Sequence, residues 1–166
     1  MDIILFKDRI KFINIKYKNI LINNKYTMEL DKLLKALDNE ENGKFLNLNT
    51  KKITEMKSEI LNELQLSKKE LSEIMKKLKE YMYVDEMCEL RYGAFIRWIP
   101  IKEPDNIYLA QGGILCDIIV TDEGVSITCK NFAHKHYKIK MDECLIFQKL
   151  TGQEQVLLSA MDHLAK

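Results

Sequence analysis

From Leu30 onward the apolar positions recur at helical spacing. Leu30, Leu33, Leu34 and Leu37 fall at i, i+3, i+4 and i+7, which puts one apolar stripe on a helix of about three turns. The run "DNEENGK" supplies a glycine stop signal. A second stripe, Ile53, Met56, Ile60, Leu61 and Leu64, predicts a helix capped by Asn49 or Thr50. After "QL" a third helix begins. Ser67 stands three residues before Glu70, so hydroxyl and carboxylate can satisfy each other's backbone amides. Leu66 and Leu71 sit where a hydrophobic staple would put them. Leu71, Ile74, Met75, Leu78 and Met82 form the buried stripe, with Lys68, Lys69, Lys76, Lys77 and Lys79 largely elsewhere. The two helices make a tight hairpin.

Past Tyr83 the period shortens. "GAFIRWIPI", "GGILCDIIV", "GVSITCK", "HYKIKM" and "CLIFQKL" are β-branched or aromatic runs separated by turn signals. "TDEG", Thr121 to Gly124, marks a hairpin turn. Pro100 and Pro104 bracket a longer loop after the first strand. These runs predict five short antiparallel strands in a closed or half-closed barrel. Thr151 and Glu154 repeat the capping-box spacing ahead of a last helix with Val156, Leu157, Ala160, Met161 and Leu164 on its stripe. The expected class is α+β. The predicted segments are a basic start over 1–27, a helical region over 28–82, a barrel-like domain over 83–150 and a terminal helix over 151–166.

Charge and composition change this picture mainly at the start. Ile, Lys, Asn, Tyr, Phe and Met fill 21 of the positions from Met1 to Thr27, the residue types of A/T-rich codons. Lys7, Arg9, Lys11, Lys16, Lys18 and Lys25 against Asp2 and Asp8 give this segment +4. The whole chain is at +1, so the remainder is acidic. Ile13, Ile15 and Tyr17 alternate with Asn14, Lys16 and Lys18, which predicts short strands; Met28 as an alternative start would make the segment an extension. A net charge this small creates no global field to gather nucleic acid. No apolar run is long enough to span a bilayer, and the N-terminus lacks a signal-peptide pattern. Cys88, Cys116, Cys129 and Cys144 are scattered without a CxxC pair, which fits a reducing compartment and no disulfide framework.

Candidate chemistry is thin. The helical hairpin has the order of a helix-turn-helix, but Glu70, Glu73 and Glu80 interleave with the lysines of its second helix. No Arg, Asn or Gln between Ser67 and Tyr81 could make bidentate base contacts. A structural hairpin with a solvated charged face is the better reading. Cys129, His134, His136 and Cys144 have no common zinc spacing, and Cys129 is in phase with Val125 and Ile127, so it is expected in the core. No metal or cofactor is predicted. Gly112–Gly113 is not a phosphate loop, and no nucleophile–base pair is visible, so no enzyme is predicted. The candidate binding residues are Arg97, Lys130, Phe132, His134, Lys135, Tyr137, Lys138 and Lys140, a basic cluster with aromatics of the kind that stacks single-stranded nucleic acid. Simple alternation alone explains Lys138 and Lys140, as the outward half of a strand whose inner half is Tyr137, Ile139 and Met141, with Trp98 in the core, and is the better reading.

The stretches "LRYGAFIRWI", "GGILCDI" and "YKIKMDECLIFQKLTGQEQ" resemble uncharacterised small proteins of giant, nucleocytoplasmic large DNA viruses. That resemblance, over Leu90 to Gln155, implies a small SH3-like or Tudor-like barrel and a viral protein of the host cytoplasm or the virion. It implies no activity and no binding residue. The expectation is a non-enzymatic module for protein–protein assembly, with nucleic-acid binding through the basic edge or the hairpin as the alternative and no membrane partner.

Overall fold

The computed structural model describes residues 24–165 and, among the first 23, Asp8 alone; the strands expected around Ile13 to Tyr17 lie outside the described residues. Residues 24–52 with 151–165 form one compact unit, and Ile53–Leu150 forms the other. The helical hairpin therefore belongs with the strands that follow it. Each unit carries its own core.

The first unit is helical. Helix α1, Asn24–Asp38, is followed by a 3-10 segment, Glu40–Asn47. The stop at Asp38 comes from Asn39, whose side chain accepts a hydrogen bond from the Glu41 amide and caps the next segment. Gly43, expected to end the helix, lies inside that 3-10 segment instead. Helix α4, Gly152–Leu164, packs on α1 and the 3-10 segment. Its capping box at Thr151 and Glu154 is formed as the spacing predicts. Leu158, outside the expected stripe, is buried, while Leu164 within it is exposed. Gln153 Oε1 accepts from both Asn39 Nδ2 and Asn42 Nδ2 at 3.0 Å, which satisfies a buried asparagine.

In the second unit, helices α2, Thr50–Asn62, and α3, Lys68–Lys77, form the hairpin. Ser67 Oγ accepts from the Glu70 amide at 3.3 Å, and the Ser67 amide donates to Glu70 Oε2 at 3.0 Å. The Ser67 hydroxyl also donates to Glu70 Oε2 at 2.6 Å, and this bond, then the one from the Ser67 amide, holds the Glu70 carboxyl below its ordinary pKa. Ser67→Ala should cost about 1 kcal/mol, the usual worth of such a cap. An unshifted urea midpoint would count against this helix start. One position of the α2 stripe is exchanged: Met56 is exposed, and Lys57, at i+4 from Ile53 and i−4 from Leu61, is 2% exposed. Its ammonium donates to the Leu78 carbonyl at 2.7 Å, at the C-terminal cap of α3. A cation there meets the negative end of the helix dipole.

Among the described residues the sheet has six strands rather than five: β1 (Tyr81–Val84), β2 (Phe95–Pro100), β3 (Gly113–Thr121), β4 (Gly124–Lys130), β5 (His136–Lys140) and β6 (Cys144–Lys149). The five expected runs are β2 to β6. The added strand is the stretch that helical spacing assigned to the end of α3 through Met82. Four alternating residues are too few to announce a strand, and pairing with β6, Tyr81 to Lys149 through Val84 to Ile146, decides it. The order β1-β6-β2-β3-β4-β5 is antiparallel, with β1 and β5 at its edges, and among the described residues the ladder does not close.

Two cores use opposite faces of this sheet. Ile96, Trp98, Leu115, Ile127, Cys129 and Ile146 fill one side. Ile99, Leu145 and Phe147 meet Leu61, Ile74 and Leu78 of the hairpin on the other. Strand β6 is buried on both faces, which accounts for its continuous apolar run. Gln148 is tolerated there because it accepts from the Arg91 amide at 2.8 Å and donates to the Glu89 carbonyl at 3.0 Å.

Candidate binding cleft

A broad cleft of about 890 Å3 opens between β2, β5 and the loop 101–112. The loop has no regular structure, yet it is anchored. The Ile101 amide donates to the Glu143 carbonyl at 3.0 Å, and the Ala110 amide to the Trp98 carbonyl at 2.9 Å. Between these points Ile107 and Leu109 pack against the hairpin core. Tyr108, the residue between them, lines the cleft and is 51% exposed. The alternation in "NIYLA" thus does for the loop what it does for a strand.

On the opposite wall Tyr137 of β5 is 44% exposed and stands against Trp98, ring centroids 6.3 Å apart. Asn131 Nδ2 donates to Tyr137 Oη at 3.3 Å and fixes that ring. Trp98 itself is buried, as alternation requires, but its ring also borders the cleft. Lys102 and Glu143 pair across the mouth at 3.3 Å. Lys138, Lys140 and Glu103 also line it.

The candidate residues divide into three groups. Tyr137, Lys138 and Lys140 line the cleft. Phe132, His134 and Lys135 form the β4–β5 turn, with Lys130 at the end of β4. Phe132 is 83% exposed, yet its ring stacks on Phe95 with centroids 5.6 Å apart and planes 22° apart. His134 takes the left-handed position of the turn, φ 60°, and donates its amide to the Asn131 carbonyl. Arg97 does not join them: its Nε donates to the Ala110 carbonyl at 2.9 Å, so it holds the loop. Sequence reasoning missed Tyr108, Asn106, Gln111 and Lys102, which reach the cleft only because the loop folds back along β2.

The cysteine–histidine set does not converge. Cys129 is fully buried while His134 and His136 are exposed, and no cluster among the described residues could hold a metal ion. Burial pushes the Cys129 thiol up to about 12, with Cys116 a smaller contributor. Burial, then Glu143 and Asp142, pushes Cys144 up to about 11. Both are protonated small hydrophobes at neutral pH. No protein-family model, no curated protein and no solved structure matches this chain.

Proposed function

We propose that this protein is a non-enzymatic interaction module that holds a segment of a protein partner in the cleft between β2 and β5. The observation that carries the reading is the pair of half-exposed tyrosines, Tyr108 and Tyr137, beside the Trp98 ring in an open cleft. Exposed aromatics clustered in a concave site are what anchors binding at protein interfaces. Two of the polar groups around them have partners within the protein, Arg97 in the Ala110 carbonyl and Lys102 in Glu143. The reading extends to a viral protein of the host cytoplasm or virion on the resemblance and on the residue types, those with A/T-rich codons, that fill its first 27 positions. No helix among the described residues is long and apolar enough to cross a membrane.

Selection from a displayed random-peptide library on the full chain tests this. Enriched peptides should lose binding to Tyr108→Ala and Tyr137→Ala, by about tenfold for an interface anchor. A selection that yields no peptide dependent on either tyrosine would overturn the reading. One observation favours nucleic acid as a second reading: Phe132 is exposed on a basic turn beside Lys130 and Lys135. Salt-sensitive oligonucleotide binding, abolished by changing Lys135, Lys138 and Lys140 to Glu, would identify that case.

A further inference from the structure

Strand β5 is an edge with an alternating row of unpaired backbone groups. The Asn131 amide donates to the Lys135 carbonyl, which fixes the phase of the β4–β5 ladder. Cys129 with Tyr137 and Ile127 with Ile139 are then hydrogen-bonded pairs, and Lys130–His136, Thr128–Lys138 and Ser126–Lys140 are not. The amides and carbonyls of His136 and Lys138, and the amide of Lys140, therefore point away from β4. No other described strand pairs with that edge.

We propose that the partner segment is acidic and extended, and that it adds to β5 as a further strand with alternate side chains against Trp98, Tyr108 and Tyr137. This deepens the reading above and rests on it. Charge selects the occupant. From Asn131 to Met141 the chain carries His134, Lys135, His136, Lys138 and Lys140 and no carboxylate. At the cleft mouth Lys102 is paired with Glu143, which leaves Glu103 as the one acid lining the cleft without an ion pair among the described residues. The same lysines repel a second copy of this edge, a common guard against edge-to-edge association. An acidic strand reverses that sign. A nucleic-acid backbone would meet the lysines but offers no alternating donors and acceptors to match the edge, whereas an added strand uses both. Five residues of β5 present about 17 Å of edge, along which the five outward groups can each take one such bond.

The probe is a fluorescent, end-capped octapeptide of alternating Glu and Val, titrated into the full chain and followed by anisotropy. The matched Lys–Val peptide, two versions N-methylated at alternate residues, and a 12-nucleotide oligo-dT are run beside it. The Glu–Val peptide should bind and the Lys–Val peptide should not. One N-methylation register should weaken binding by about tenfold, the worth of a lost backbone bond or two. Lys138→Pro should do the same, because that amide serves no ladder bond and the fold survives its loss. Lys138→Gln keeps the amide and should cost only about threefold, as an exposed charge does. The amide spectrum of β4 checks that each variant is folded. Equal binding of both N-methylated peptides, or of the Lys–Val peptide, would overturn strand addition. If the Glu–Val peptide fails while library peptides still depend on Tyr108 and Tyr137, this inference falls and the protein-binding reading stands. If only oligo-dT binds, both fall.

Discussion

Gly112→Ala should destabilise the second unit by about 4 kcal/mol, the combined cost of backbone strain and overpacking. Gly112 has φ +93°, a conformation that side-chain-bearing residues rarely adopt. A Cβ there would overlap the Ile96 carbonyl oxygen and lie 2.8 Å from Phe95 Cε1 and 2.9 Å from Arg97 Cγ. The carbonyl belongs to a paired strand and cannot retreat. The loop would have to move, and with it the hydrogen bonds from Ala110 to Trp98 and from Arg97 to Ala110 that shape the cleft. Gly43→Ala is the control, since a Cβ there meets nothing within 4 Å. Urea unfolding of both variants decides the matter; a Gly112→Ala midpoint within experimental error of the parent would refute the clash.

Lys57 should make the protein more stable as pH rises from about 8 towards 10.5. Burial lowers its ammonium to about 8 from 10.5. Across that window the unfolded chain holds a proton that the folded chain has released. Stability therefore increases with pH wherever Lys57 is the group titrating. The upper bound is about 3 kcal/mol, and about 2 kcal/mol once residual solvation of the ammonium is allowed for. Cys129 and Cys144 work against this above about 9, because there the unfolded chain's thiols ionise while the folded ones, raised to about 12 and about 11, stay protonated. The difference between the parent and Lys57→Met isolates the lysine. Below pH 8 the variant is relieved of a buried charge but leaves the Leu78 carbonyl without its 2.7 Å donor. With increasing pH the parent should gain on the variant by about 2 kcal/mol. Parallel stability profiles from pH 7 to 10.5 would show that Lys57 does not titrate in this window.

Local patterns were enough to find much of the fold. The capping boxes at Ser67–Glu70 and Thr151–Glu154, the hairpin turn Thr121–Gly124 and the runs that became β2 to β6 are all short-range features. Each is decided by hydrogen bonds and side-chain spacing within a few residues, so the sequence displays it directly. The alternation that buries Cys129 with Ile127 is of the same kind.

What the sequence by itself could not determine depends on groups far apart along the chain. Tyr81–Val84 is a strand because β6 lies beside it, and nothing in four residues announces a partner more than sixty positions away. Lys57 sits in an apolar stripe because Leu78 offers it a carbonyl, a contact between two helices that periodicity cannot report. The cleft is the same case on a larger scale. Its basic wall was readable from "HKHYKIK", but its aromatic wall needed Tyr108 carried back along β2 by Ile107, Leu109 and the Ala110–Trp98 hydrogen bond. Arg97 was drawn off to the loop by that same fold-back. Local bonding fixes which elements form, whereas non-local packing decides which faces meet, and a binding site is made of faces that meet.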